Sequence, residues 1–318
     1  MIAVQTIKDD ISTNHVLDWI FFLKNGQEIL RLNDEITING LSIDDNVVLT
    51  LGDEDYDLTD VSKYWYRRGG FRASKGGDLS WADIPFYKEI NSVYSKLNLF
   101  GNNFSLGKLS NNSIDKIQML LLARYSGLEI PKTIVTGNYK KLNAFLSLCN
   151  GRVITKAIDN DDVEIFNTSE YTCNLCLSTK LIDPERFSDI HLEDRIPALF
   201  QQYIDKKYEI RVFYLHGKFY SMAIFSQQNE KTKIDFRNYD REFPNRTIPY
   251  SLPDSLKEKI EVFMKAMDLN TGSLDLIFSA DNQYVFLEVN PIGQYEWVEK
   301  NCNFPISREI AKELLRYE

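Results

Sequence analysis

The residues whose types and spacing could do chemistry gather near the C-terminal end, in Asp275, Glu288 and Asn290. All three offer hard oxygen ligands of the kind Mg²⁺ takes while keeping its other positions for water and phosphate oxygens. The same pattern also describes the polar, solvent-facing side of an edge hairpin, so the motif by itself leaves both readings open. Lys156 ends an apolar run, Arg152 to Ala157, with no carboxylate beside it, and so needs an anionic ligand, a distant partner or a route to solvent along its stem. Asp235-Phe236-Arg237 sets an acid and a base two residues apart, and Glu209 and Arg211 share one face of an apolar strand. Arg67-Arg68, followed by Gly69-Gly70, could grip an anion through forked donors and free backbone N–H groups, or could be a solvated basic turn. The three histidines, His15, His191 and His216, show no evident pairing with a serine or cysteine nucleophile. Cys173-x-x-Cys176 has no second pair to complete a zinc site and reads as structural.

Hydrophobic periodicity supplies the elements that must position these groups. Gly272 to Phe278 and Tyr284 to Val289 flank the turn formers Ala280-Asp281-Asn282-Gln283, which predicts an antiparallel hairpin. Strict period two would send Val285, Leu287 and Val289 into apolar packing and Phe286, Glu288 and Asn290 to the other face, with Asp275 on the partner strand. Upstream, Pro197 to Ile204 and Tyr208 to Tyr214 read as strands joined by Asp205-Lys206-Lys207, and the second returns through His216-Gly217 into Phe219 to Phe225. Ser255-Leu256-Lys257-Glu258 reads as a capping box for a helix buried through Leu256, Ile260, Phe263, Met264 and Met267. A helix after Ser113 is expected to turn Ile114, Ile117, Leu120, Leu121 and Tyr125 inward and to end at Gly127; another from Asn138 buries Leu142, Phe145, Leu146 and Cys149. At the start, Ile2 to Ile7 is a strand, Ser12-Thr13-Asn14 supplies caps, and Val16, Leu17, Ile20, Phe21 and Leu23 form the apolar face of a helix. A further helix is expected over Ser80 to Phe100.

The chain of 318 residues, 43% hydrophobic and 26% charged, has the composition of an ordinary globular protein with room for two or three domains. The element pattern divides it into an N-terminal α/β unit (1–112), a central unit (113–199) and a C-terminal unit (200–318). A net charge of -9 argues against a nucleic-acid partner held by phosphate contacts. No apolar run approaches the roughly 20 residues that span a bilayer, and Met1 to Asp10 lacks the form of a signal peptide, so a cytoplasmic setting without membrane attachment is expected.

Read in order, Asp115-Lys116, Ile130-Pro131-x-Thr133, Lys156, Gln201-Gln202-Tyr203-Ile204, Glu209-Ile210-Arg211-Val212, Asp235-x-Arg237, Asp275 and Glu288-x-Asn290-Pro291 resemble the ATP-grasp superfamily over about the last two thirds of the chain. Glu288 to Glu299, with its Asn290-Pro291, Gly293-Gln294 and Tyr295, resembles the ligases that macrocyclise microviridin-type peptides (graspetides), where the strand ends in asparagine-proline, then glycine-glutamine and an aromatic. Asp10 to Asn14 and Trp65 to Gly69 are similar to the subgroup called grasp-with-SPASM peptide maturases.

The resemblance implies an α/β (α+β) ATP-grasp fold with an N-terminal α/β domain, a central subdomain and a C-terminal antiparallel-sheet subdomain. It implies Lys116 and Lys156 on the ATP phosphates, Gln201, Gln202, Tyr203 and Ile204 as the segment whose backbone reads adenine, and Glu209 on the ribose side. Catalytic roles fall to Arg211 and Arg237, which would steady the γ-phosphate and an acyl phosphate, together with Asp235. Asp275, Glu288 and Asn290 would hold Mg²⁺, expected as two ions. Arg67 and Arg68 stay open as peptide contacts. After Lys156, where many relatives carry a glycine-rich loop, this chain has Ala157 to Asp162. The function implied is activation of Asp or Glu side chains of a leader-containing, ribosomally made precursor peptide, followed by attack from its own Ser, Thr or Lys; a homodimer is implied as well. A ligase that adds a free amino acid to a peptide or protein carboxylate shares every ATP residue and is the competing reading.

Overall fold

The computed structural model describes residues 1–33, 37–74, 78, 80–94, 104–108, 114–158, 162–167, 172–176, 179–183, 196–238 and 240–316, with backbone alone at 94, 104, 162–167 and 172–176. The expected boundary at 112/113, the end of the helix expected to reach Phe100, Asp159 to Asp161, His191 and the side chains of Cys173 and Cys176 lie outside the described residues.

The N-terminal unit holds a parallel sheet in the order Ile29–Asn33, Ile2–Thr6, Lys63–Tyr66, Phe104–Leu106. A helix, Ile11–Leu23, connects its first two strands in sequence, as a parallel pair requires. Its cap is Asp10, which accepts from the Ser12 N–H, and not the Ser12 to Asn14 run. Starting the helix there turns Ser12, Thr13, Val16 and Ile20 into the core and leaves Phe21 and Leu23, expected inside, at 48% and 41% exposure.

The central unit is an antiparallel sheet in the order Lys180–Leu181, Val153–Lys156, Ala198–Gln202, Thr133–Thr136. The boundary expected at 199/200 falls inside one of its strands. Asn138 caps the Tyr139–Leu148 helix, and Leu142, Phe145, Leu146 and Cys149 are buried beneath it. In the helix Lys116–Tyr125 the inward face is Met119, Leu120 and Ala123, while Ile117, Leu121 and Tyr125 are exposed. The Asp115 cap fixes the helix start, and the inward face differs from the expected one because Met119 and Ala123 lie opposite the longer aliphatic side chains of Ile117 and Leu121.

The C-terminal unit is a five-stranded antiparallel sheet in the order Arg246–Tyr250, Lys218–Phe225, Lys206–Leu215, Thr271–Ser279, Tyr284–Asn290. Period two along its middle strand sorts the molecule. Ile210, Val212 and Tyr214 face the helices Lys116–Tyr125 and Asp254–Ala266 in one core. Glu209, Arg211 and Phe213 face the other way: Phe213 joins Ile2, Val4, Ile20, Trp65, Tyr295 and Leu314 in a second core, Glu209 lines the cleft, and Arg211 bonds Asp275 beneath it. The N-terminal unit therefore shares one core with the C-terminal sheet. The Asp254–Ala266 helix has Pro253 at its cap and no side-chain capping bond, so the box expected at Ser255 to Glu258 does not form; Asp254 already occupies the first turn.

Candidate active site

The hairpin carrying the candidate metal ligands forms where alternation predicted it, with one irregularity. Asp275 pairs with Glu288 and Leu276 with Phe286, so Leu287 is an extra residue bulged out of the ladder. The bulge reverses the expected parity: Phe286 is buried against Phe263, with ring centroids 4.9 Å apart, and Leu287 lines the cleft beside Glu288. Beyond the bulge the alternation holds, so Glu288 and Asn290 share a face, with Asn290 opposite Ser273.

An open cleft lies between the C-terminal and central sheets. Asp275, Ile277, Leu287 and Glu288 line it from below, Ile154, Lys156, Gln201 and Gln202 from above, and Tyr203, Ile204 and Lys206 at the connection. Ile234 to Arg237 close one side. It thus brings together Lys156, Gln201, Gln202, Tyr203, Ile204, Glu209, Asp235, Arg237, Asp275 and Glu288. Lys116, Arg211, Asn290, Arg67 and Arg68 do not line it, although Arg211 touches a group that does and Lys116 the neighbour of one. Lys116 reaches the carbonyl of Ala157, next to Lys156, at 3.3 Å, and Arg211 Nη1 donates to both oxygens of Asp275 at 2.8 and 2.7 Å.

Charges in the cleft are matched within the protein. Arg237 makes a forked contact with Asp235 and lies 3.6 Å from Glu288, which is 4.0 Å from Lys156. Burial alone would raise the Asp235 carboxyl; the hydrogen bonds and charge of Arg237 outweigh it and hold Asp235 below the usual carboxylate range. Asp275 is pushed up by burial, and the neighbouring Glu288 adds to the rise against the pull of Arg211. Two carboxylates facing each other across adjacent strands, with the Asn290 carboxamide further along, form an oxygen-only donor set that fits a hard divalent cation. Among the described residues no group of three or more His, Cys, Asp or Glu gathers for a metal. Asn290 Oδ1 accepts from the N–H groups of Ile292 and Gly293 at 3.0 and 3.2 Å, which fixes its carboxamide at the head of the turn.

At the other end Gln201 is buried and donates to Thr133 Oγ1 at 3.0 Å. The N–H groups of Gln202 and Tyr203 are bonded to the carbonyls of Lys132 and Arg152. The motif reading missed Lys206, which lines the cleft beside Glu209; a lysine next to another lysine at a strand start reads as solvated, and only the tertiary fold shows otherwise.

Arg67 is 4% exposed. Its Nη1 bonds the carbonyl of Ile292, its Nε donates to Ser12 Oγ at 2.9 Å and stands 3.3 Å from Asp10, and its guanidinium lies over the Tyr295 ring. Tyr295 in turn donates to the carbonyl of Ser12 at 3.2 Å. Asp10 to Ser12, Arg67 and Ile292 to Tyr295, with Ser12 and Tyr295 bonded across 283 residues, thus form one buried joint at the end of the Glu288 strand. Arg68, with 28% of its side chain exposed, is the partner that reaches the surface.

No curated protein sequence matches the chain. Among solved structures, it is similar over 99% of its length and 96% of the other to a RiPP-associated ATP-grasp ligase of Chryseobacterium gregarium in complex with ADP and a leader and core peptide, at 24% identity and a TM-score of 0.83. The macrocyclase MdnC of Microcystis aeruginosa, bound with precursor peptide MdnA, matches over 99% of both chains at 25% identity and a TM-score of 0.76. The ATP-grasp ligase PsnB with minimal precursor, Mg and ADP matches at 16% identity over 99% of this chain and 96% of that one, with a TM-score of 0.73. These likenesses show the fold to be ATP-grasp. Residues 113–315 match the RimK-like ATP-grasp domain, and the chain belongs to that family.

Proposed function

We propose that this protein is a peptide macrocyclase: an ATP-dependent ligase that activates Asp or Glu side chains of a ribosomally made precursor peptide and cross-links them to the peptide's own Ser, Thr or Lys side chains. The observation that carries the reading is the buried joint of Asp10, Ser12, Arg67, Ile292 and Tyr295. It ties the two motif stretches that resemble peptide-cyclising ligases directly to the turn headed by Asn290. Two of the similar structures, which share the N-terminal unit over their whole length, are ligases described with a precursor, leader or core peptide.

A carboxylate is a poor electrophile because its oxygen is a poor leaving group, and transfer of a phosphoryl group from ATP makes it an acyl phosphate. Asp275, Glu288 and Asn290 would hold Mg²⁺, which supplies charge neutralisation at the phosphate oxygens. Arg237 is the cation best placed to follow the charge, since it already bridges Asp235 and Glu288. Its forked donors can pass from carboxylate to phosphoryl oxygen without leaving the site. Lys116 and Lys156 would meet the outer phosphates, with Arg211 anchored on Asp275, and Glu209 would receive the ribose hydroxyls. The apolar Ile154, Ile277, Leu287 and Phe236 limit the water that would hydrolyse an acyl phosphate. Ring closure then needs only a nucleophile of the same chain held nearby, which makes the step intramolecular and worth about 7–11 kcal/mol when well oriented. Two Mg²⁺ ions, a homodimer, a cytoplasmic setting and the grasp-with-SPASM subgroup belong to this proposal on the strength of the resemblance. Among the described residues no helix is long and apolar enough to cross a membrane.

Incubating the protein with ATP, Mg²⁺ and a precursor peptide rich in Thr or Ser and Asp or Glu tests the proposal by intact mass. Loss of one or more waters from the peptide is expected. A gain equal to an added amino acid would replace cyclisation by the competing ligation.

A further inference from the structure

We infer that Lys206 is a positioning residue for the nucleotide site, holding Glu209 ionised and aimed while anchoring the segment that carries Asp235 and Arg237. This rests on the reading of Glu209 as the ribose-side acid. The Lys206 side chain is 3% exposed and that of Glu209 4%. The Lys206 ammonium donates to Glu209 Oε1 and, at 3.0 Å, to the carbonyl of Ile234, one residue before Asp235. The second Glu209 oxygen accepts from the Ser226 hydroxyl. Both residues line the cleft. One lysine therefore fixes the carboxylate at the connection and the start of the segment that closes the side of the cleft.

The charge of Lys206 matters beyond its hydrogen bonds. Burial pushes the Glu209 carboxyl up, and the Lys206 charge and hydrogen bond, with the Ser226 hydroxyl, pull against that rise. The strand neighbours in register, Ile224 and Ile277, are apolar and offer no compensation. The other titratable groups nearby are Tyr203, from the connection, and Lys233 and Asp235, from the segment after Ser226. A carboxylate can accept from both hydroxyls of a ribose diol, whereas a protonated carboxyl must give up an acceptor position. Burial leaves the Glu209 carboxyl raised even with Lys206 in place, so without the lysine charge nucleotide affinity falls more steeply toward acid than in the native protein.

Isothermal titration of the full-length protein with ADP and Mg²⁺ at about pH 6, 7.5 and 9, for wild type, Lys206→Met, Lys206→Gln and Glu209→Gln, tests this. Relative to wild type at each pH, Lys206→Met should bind about tenfold more weakly at the acid end and approach wild type at the alkaline end, since affinity changes up to tenfold per pH unit below the carboxyl's raised pKa. Lys206→Gln, which keeps a donor for Ile234 but not the charge, carries the same expectation if Lys206→Met does not fold. A ratio to wild type that stays constant across pH in the folded lysine variants overturns the inference and marks Lys206 as structural. If Glu209→Gln binds ADP as wild type does, the ribose assignment itself fails.

Discussion

Replacing Arg67 by Met tests whether the joint between the N-terminal unit and the Asn290 turn is a structural necessity. Arg67 and Asp10 have side chains 4% and 6% exposed, so the substitution leaves a buried carboxylate without its closest cation. It also removes the donors to Ile292 and Ser12. Taking one partner from a buried ion pair costs about 3–5 kcal/mol. Asp10→Asn should cost less, about 1–2 kcal/mol, because an amide oxygen still accepts from the Ser12 N–H and no lone anion is buried. The double variant Arg67→Met/Asp10→Asn should then be more stable than Arg67→Met alone, with a coupling of at least about 1 kcal/mol. Urea unfolding followed by intrinsic fluorescence reads this out, since Trp65 is buried in the same core. Stability of Arg67→Met within about 1 kcal/mol of wild type, or strict additivity of the two changes, would refute the reasoning.

Glu288→Gln should abolish ADP formation while leaving the fold intact, and unchanged turnover would remove Glu288 from the metal assignment. Gly293→Ala should destabilise by about 1–3 kcal/mol and impair ADP formation, because the added Cβ would lie 2.6 Å from Ser273 Oγ and 2.7 Å from the Ser273 nitrogen at a φ of +30°; a melting temperature equal to wild type would show that the turn yields freely. Asp10 is held below its ordinary 3.8 even though burial alone would raise it, because the Ser12 hydrogen bonds and the charges of Arg67 and Arg68 favour the ionised form. Asp235 behaves alike through Arg237. The stability both add is fully present above their unfolded value and is lost as pH falls through the lower folded values; Asp275, raised by burial, acts in the opposite sense. Melting temperature should therefore fall below about pH 4, less steeply in Arg67→Met, and identical acid limbs in the two proteins would contradict this origin.

The sequence made the hairpin Thr271–Ser279/Tyr284–Asn290 legible because turn formers and apolar alternation agree over a long stretch. Its bulge at Leu287 was not, since an extra ladder residue leaves no local mark; it reverses the directions inferred for Phe286 and Leu287 and leaves those of Glu288, Val289 and Asn290 as expected. Spacing was enough to bring Glu209, Asp235, Arg237, Asp275 and Glu288 under suspicion, and the fold lines one cleft with all five. Lys206 escaped because its partner carbonyl, Ile234, lies 28 residues away. Paired arginines before glycines fit either an anion grip or a solvated turn, and neither reading describes Arg67; its acceptor at Ile292 is 225 residues distant, and only the packed core reveals a buried strut. Helix faces failed where small buried residues, Ala123 and Ser12 among them, outvoted larger apolar ones in close packing.

The central claim, activation of a peptide carboxylate as an acyl phosphate, is tested most directly by oxygen transfer. A precursor peptide whose Asp and Glu side chains carry ¹⁸O is incubated with the protein, ATP and Mg²⁺, and the released phosphate is analysed by mass. One ¹⁸O in the phosphate for each bond formed is expected, because the carboxyl oxygen that accepts the phosphoryl group leaves with it. Phosphate without label, or label in AMP, would contradict the mechanism.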